Sequence, residues 1–331
     1  MHRFSISAAA IVLAIATPRV SAQTPPPANA VETIAAADVT RHIAVIADDS
    51  MLGRDTPSPG LEKTAQYIAD QFKKFGLKPG GDTGTWFQRY PVDGDPSTAP
   101  NTVGILEGSD PKLKNEYVVF SAHMDHVGIT PGEADSINNG ADDDASGTTG
   151  VVELAEAFSQ PGARPKRSII FLTVSGEEKG LWGSAYFAEN PPVPLKQIVA
   201  DINLDMIGRN WKDTIVAIGK EHSDLGATLN RVNAAHPELG MTAIDDIWPG
   251  EQFYFRSDHY NFAKYGVPIL FFFNGVHEDY HQRSDSPDKI DAEKEARLLR
   301  LIYYLGQEVA NAAERPQWNE ASYKQIVKEQ P

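Results

Sequence analysis

Five short clusters in this 331-residue chain carry side chains able to hold a metal ion or move a proton. The first, His123-Met124-Asp125-His126, sets two imidazoles beside a carboxylate. A metal-bound imidazole needs its other ring N–H held by an acceptor, and Asp125 has the spacing to supply one. On its own an HxDH is equally compatible with a structural or surface role. The second cluster, Gly140-Ala141-Asp142-Asp143-Asp144-Ala145-Ser146-Gly147, puts three carboxylates ahead of a helix start. Such acids could cap the helix. They could also belong to a calcium loop, which wants more alternating oxygen ligands and a distal Glu. Three adjacent acids repel one another unless a cation sits among them, and one carboxylate can bridge two metals, as in two-metal hydrolases.

Glu177-Glu178 form the third cluster. Adjacent residues point in different directions, so one carboxylate can bind metal while the other faces an attacking water as general base. Asp205 lies among Leu204, Met206 and Ile207, and a buried lone Asp has to be paired or liganded. His281 stands in Asp279-Tyr280-His281-Gln282-Arg283-Ser284-Asp285. Two histidines and three carboxylates suffice for two zinc ions that share one bridging carboxylate. Nitrogen and oxygen ligands without thiolate suit zinc, with Co2+ or Mn2+ as substitutes.

The elements that position these clusters are readable from the apolar pattern. Four mostly apolar runs stop abruptly at polar residues: Tyr117 to Phe120, Ser168 to Val174, Ile198 to Leu204 and Pro268 to Phe273. Runs of this kind predict strands buried on both faces, hence α/β architecture with a mostly parallel twisted sheet covered by helices on both faces. Helices are predicted over Val31 to Ala47, Leu61 to Phe75, Gly147 to Phe158, Leu181 to Phe187 and Ala292 to Ala313. Ligands of open α/β sheets bind beyond the carboxyl ends of the strands. The acid and histidine clusters fall at those exits, where residues scattered for solubility would not concentrate.

The chain begins with His2 and Arg3, an apolar stretch from Ala8 to Ala16, and the small residues Val20-Ser21-Ala22. That is the layout of a secretory signal peptide over residues 1–22, cleaved after Ala22 to give an exported protein, periplasmic or secreted. The run is too short to cross about 30 Å of hydrocarbon, so no stable membrane anchor is expected after cleavage. Residues 23–30, with Pro25, Pro26 and Pro27, read as a stiff tether, and residues 31–331 as a single domain with no long insertion. There is no cysteine, which excludes a disulfide framework. The formal charge of -15 and the lack of a Lys/Arg cluster argue against nucleic acid and anionic membranes as partners. The pattern leaves the oligomeric state open.

The succession HMDH, GADDDASG, EEKGLWGS, Asn203-Leu204-Asp205-Met206 and Tyr280-His281 resembles the co-catalytic di-zinc aminopeptidases, a family with aminopeptidase Y-like and glutamate-carboxypeptidase-like members. The resemblance runs from about His42 to Ile302 and implies a zinc-exopeptidase fold. It also implies two zinc ions held by His123, Asp143, Glu178, Asp205 and His281, with Asp143 as the bridge. Carried over in the same way, Glu177 is the general base, Asp125 orients a ligand and Tyr280 helps to polarise the scissile carbonyl. Many members carry an inserted protease-associated domain, which this chain lacks. The activity implied is removal of N-terminal residues from short peptides. The alternatives are a carboxypeptidase or dipeptidase of the same family, a one-zinc glutaminyl cyclase-like enzyme or a non-catalytic relative.

A serine hydrolase is poorly supported, since no GxSxG elbow is present. Ser257-Asp258-His259 therefore reads as a supporting or packing segment. His126 could tune the site or simply hydrogen-bond a loop, the loop reading being the one favoured. Arg54 and Arg209 could meet a substrate carboxylate or form ion pairs. Phe271 to Phe273 reads as core.

Overall fold

The computed structural model describes residues 28–132 and 135–328. The predicted signal segment and the prolines of the tether lie outside the described residues. The end of the predicted tether is already helical, in α1 (Ala28–Glu32). The first predicted helix is thus divided, continuing as α2 (Ala36–Ile46). The second is α3 (Pro59–Lys74), where Ser58 Oγ accepts from the Leu61 N–H at 3.1 Å and Pro59 opens the first turn. Caps of this kind contribute about 1 kcal/mol. Leu61, Ala65, Ile68 and Phe72 form the buried stripe of α3.

Among the described residues nine strands make one sheet: β1 (Lys78–Pro79), β2 (Phe87–Pro91), β3 (Thr98–Leu106), β4 (Tyr117–His123), β5 (Ser168–Val174), β6 (Ile198–Leu204), β7 (Thr214–Ile218), β8 (Thr242–Ile244) and β9 (Ile269–Phe273). Their order is β1-β3-β5-β4-β6-β9-β7-β8, with β2 paired to β3. The four apolar runs of the sequence are β4, β5, β6 and β9, and these form the parallel centre. The flanks, β3 against β5 and β7 against β9, are antiparallel. A parallel pair needs a crossover that covers the sheet, so its strands are buried on both faces and read as continuous apolar runs. Of the flanking strands, β3 (TAPNTVGIL) lacks that signature, whereas β7 (TIVAI) carries a short apolar run of the same kind; neither was predicted.

Helices α4 (Gly147–Ser159), α5 (Trp182–Glu189), α6 (Leu225–Ala235), α7 (His259–Ala263), α8 (Ala292–Asn311) and α9 (Glu320–Ile326) complete the layers. Strand alternation divides the core in two. Val118, Phe120, Ile169 and Phe171 pack with Phe72 of α3, Phe158 of α4 and Tyr303 of α8. Val119, Ile170 and Leu172 face the other way, onto Phe187 of α5, Phe262 of α7 and Ile326 of α9. Helices therefore cover both faces, and the carboxyl ends of the four parallel strands share one edge of the sheet.

Away from that edge, His42 of α2 and Glu153 of α4 are both fully buried, with Nε2 3.4 Å from Oε1. Burial dominates over their attraction: it pushes Glu153 up to about 8, helped by Asp38 and Glu156, and pushes His42 down to about 4. Both are neutral at pH 7. Because the folded Glu153 holds its proton above the ordinary 4.5, its contribution is fully present below that pH and is lost as pH rises towards 8. Urea unfolding of Glu153→Gln should therefore show the variant gaining on the parent between pH 5 and 8. Parallel stability curves would refute the assignment.

Candidate metal centre

His123 is the last residue of β4, Glu177 and Glu178 follow β5, Asp205 follows β6, and His281 lies beyond β9. All are brought to one crevice. His123 Nε2 lies 3.3 Å from Asp143 Oδ1 and 3.6 Å from Asp205 Oδ1. His281 Nε2 lies 3.1 Å from both Asp143 Oδ2 and Glu178 Oε2. Two groups of ligand atoms result: His123, Asp143 and Asp205, and His126, Asp143 and Glu178, each with its atoms within 4.8 Å of one another. Asp143 belongs to both.

The middle acid of the triplet is singled out by what its neighbours do. Asp142 Oδ1 accepts from the Gly208 N–H at 2.7 Å, and its Oδ2 lies 3.1 Å from His277 Nε2. Asp144 accepts from the N–H groups of His123, Gly147 and Met206. The expected mutual repulsion of three acids is thus relieved at two of them by backbone donors. Asp143 Oδ2 is buried without a hydrogen-bond partner, as are the Nε2 atoms of His126 and His281. The short approach of His281 to Asp143 lacks hydrogen-bond geometry, so these atoms crowd a shared space rather than bond to each other. Orphaned nitrogen and oxygen lone pairs in such an array are the donor set zinc takes, and the residues fit the ion. Gly140 makes the loop possible: its φ is 55°, and a Cβ there would meet the His126 ring at 2.5 Å.

Arg54, buried and at φ 53°, is the clamp beneath this loop. It donates to the carbonyls of Met124 at 2.9 Å, Ile46 at 2.9 Å, Asn139 at 2.5 Å and Gly140 at 2.9 Å. One guanidinium ties the histidine loop to the acid loop, which excludes the substrate contact considered from the sequence. Arg209 is likewise committed, donating to Asp279 Oδ2 at 2.6 Å, while Lys289 holds Asp279 Oδ1 at 2.6 Å. This fixes the loop carrying Tyr280 and His281.

Asp125 accepts from the Thr56 hydroxyl at 3.0 Å and from the Glu177 N–H at 3.3 Å. The His123 Nδ1 atom lies 3.2 Å from the Asp125 carbonyl and 3.7 Å from its carboxylate. The residue expected to orient His123 thus reaches it chiefly through its backbone, and its carboxylate sets Glu177. His126 corrects the loop reading: Nδ1 donates to Glu178 Oε1 at 3.1 Å, leaving Oε2 on the His281 side. The i, i+3 spacing of His123 and His126 was the available signal. Ser257 Oγ donates to Asp205 Oδ2 at 2.9 Å, whereas His259 Nε2 turns to the Tyr254 carbonyl at 2.8 Å. No serine triad forms among them.

The two adjacent glutamates are driven apart electrostatically. Burial pushes Glu177 well above the ordinary carboxyl range, with Asp258, Asp205 and Glu178 adding repulsion against the pull of His123. Burial and Asp143 act to raise Glu178 as well, but His126, His281 and His123 outweigh them and hold it low. Burial also raises Tyr280, which stays a phenol and stacks on His281 with ring centroids 3.8 Å apart. The crevice opens into a cavity lined by Glu177, Asp205, Phe253, Arg256, Phe273 and Tyr280, among others. Phe271 and Phe273 are buried, as expected of core, and also wall this cavity.

Residues 101–306 match the family model described as peptidase family M28. A probable zinc metalloprotease of Pyricularia oryzae is 27% identical over 309 residues, covering 77% of this chain and 60% of the relative. Leupeptin-inactivating enzyme 1 of Streptomyces exfoliatus is 28% identical over 287 residues, covering 85% of this chain and 58% of the relative. The chain thus spans about three fifths of the length of these curated relatives. Among solved structures, an aminopeptidase from Aneurinibacillus sp. strain AM-1 matches with a TM-score of 0.65 at 18% identity, over 86% of this chain and 96% of that one. Porphyromonas gingivalis glutaminyl cyclase matches with a TM-score of 0.65 at 18% identity, over 83% of this chain and 99% of that one. At these identities the likeness is one of fold, and the fold serves more than one reaction.

Proposed function

The chain belongs to peptidase family M28, and from that premise we propose that it is an aminopeptidase that releases single residues from the free N-terminus of short peptides at a centre of two zinc ions. The observation that carries the reading is the acidic lining of the cavity, Asp143, Glu177 and Asp205, with Glu178 beside it, 3.1 Å from His281, while Arg209 is spent on Asp279. Such a lining attracts an ammonium group, and the guanidinium it contains is that of Arg256. His123, Asp143 and Asp205 would hold one ion and Asp143 and Glu178 the other, completed by His281, whose Nε2 lies 3.1 Å from both carboxylates, rather than by His126, the imidazole grouped with them. His126 fixes Glu178 for this role by its hydrogen bond.

When bound, zinc supplies Lewis-acid polarisation of the scissile carbonyl and lowers the pKa of water. Glu177, the proton-seeking member of the glutamate pair, takes the proton from the attacking water and delivers it to the leaving amine. Its backbone is held by Asp125. The Tyr280 phenol donates to the oxygen on which negative charge develops, an electrostatic contribution that is large in acyl transfer.

The test is one neutral six-residue peptide offered free, N-acetylated and C-amidated. N-acetylation should nearly abolish kcat/KM and C-amidation leave it unchanged, because the far terminus lies beyond the site. The opposite pattern would make the protein a carboxypeptidase. We also propose export with cleavage after Ala22; mass spectrometry of exported material should find Gln23 at the N-terminus, and an intact Met1 would contradict it. No helix among the described residues is long and apolar enough to cross a membrane.

A further inference from the structure

Arg256 supplies the guanidinium of the cavity beside the centre, whose other lining groups are His123, the acids of the site and apolar or hydroxyl side chains. The chain delivers it there directly, because the next residue, Ser257, donates to Asp205. The guanidinium carbon lies 4.8 Å from the centroid of the Phe253 ring. Contact with an aromatic face at that distance restrains a cation without consuming its in-plane donors.

Those donors are weakly used. Arg256 Nη1 lies 3.4 Å from the Glu251 carbonyl and 3.5 Å from its carboxylate. Charge-assisted bonds of committed pairs close to about 2.7–2.9 Å, as Arg209 does on Asp279 at 2.6 Å. Both side chains of the Arg256–Glu251 pair are open to solvent, at 52% and 62% exposure, so the pair is readily exchanged for a better acceptor. Phe253, Phe273 and Val276 provide an apolar wall of the same cavity. A charge bound against such a wall is less screened than one in open water.

We propose that Arg256 is a specificity-determining residue, pairing through its planar fork with a carboxylate of the bound peptide. The proposal rests on the peptidase reading above and names its substrate class. The acids of the centre take the ammonium group and Arg256 takes a carboxylate close to it, so the favoured substrates carry both charges a short distance apart. The carboxylate has two sources: the C-terminus of a dipeptide, or the side chain of a first residue that is Asp or Glu.

Steady-state kinetics of the zinc-loaded full chain on two matched pairs tests this: Leu-Leu against its amide, and Glu-Leu-Leu-Leu amide against Gln-Leu-Leu-Leu amide. At least one carboxylate-bearing member should exceed its neutral partner about tenfold or more in kcat/KM, the difference lying in KM, and the pair that responds names the source. Arg256→Ala should bring that ratio close to one. Arg256→Lys, which keeps the charge without the fork, should recover part of it, so that loss through misfolding is recognised. Equal treatment of both pairs by the parent, or a ratio that survives Arg256→Ala, would overturn the proposal. Cleavage of the neutral amides reports separately on the aminopeptidase reading: amides cleaved with a ratio of one sink Arg256 alone, and no turnover of any of the four peptides sinks both.

Discussion

Replacement of Glu177 by Gln should lower kcat by roughly a hundredfold or more, the usual consequence of removing a general base, while zinc stays bound. Replacement of Glu178 by Gln should instead release zinc. The contrast follows from surroundings that push two adjacent carboxyls in opposite directions, a pattern that assigns acid–base roles. Glu177 sits among Asp258, Asp205 and Glu178 and is raised by burial first, so it accepts a proton readily. Glu178 is hydrogen-bonded by His126 and flanked by His281, so its charge is retained for a cation. Metal content and kcat measured on both variants decide the matter. Zinc lost from the Glu177 variant and kept by the Glu178 variant would reverse the assignment.

Asp143→Asn should cost more than either. Both groups of ligand atoms include Asp143, and an amide offers one weak acceptor where the carboxylate offers two charged oxygens. Affinity at both positions should fall by more than the roughly ten- to hundredfold that accompanies loss of an outer hydrogen-bond partner, with activity falling in parallel. Asp205→Asn is the control, since Asp205 belongs to one group only; it should release about one equivalent. Equal retention of zinc by Asp143→Asn and the parent, measured by competition with a chelator, would exclude the bridging role.

Much of this arrangement was legible because chemistry and burial share one signal. The parallel strands are apolar on both faces, so the residue that breaks each run, such as His123 or Asp205, announces the strand exit. The antiparallel flank β3 (TAPNTVGIL) was not legible, because it carries Pro100, Asn101 and Thr102 where a central strand would be apolar. Nor was the support beneath the metal loops. Arg54 meets Gly140 across 86 residues, and Asp142 meets Gly208 across 66. Pairings at such separations leave no local pattern, and an arginine bound to four carbonyls looks in sequence like any surface cation. His126 was read as a loop residue because its partner, Glu178, lies 52 positions away. Arg256 was overlooked because its place in the cavity depends on the turn before Ser257.

The decisive quantity is the number of metal ions that Asp143 would share. Elemental analysis of the purified protein, titrated with zinc to full activity, should give about two ions per chain, because five ligands with one bridging carboxylate exceed the needs of a single tetrahedral ion. One ion per chain at full activity would contradict it.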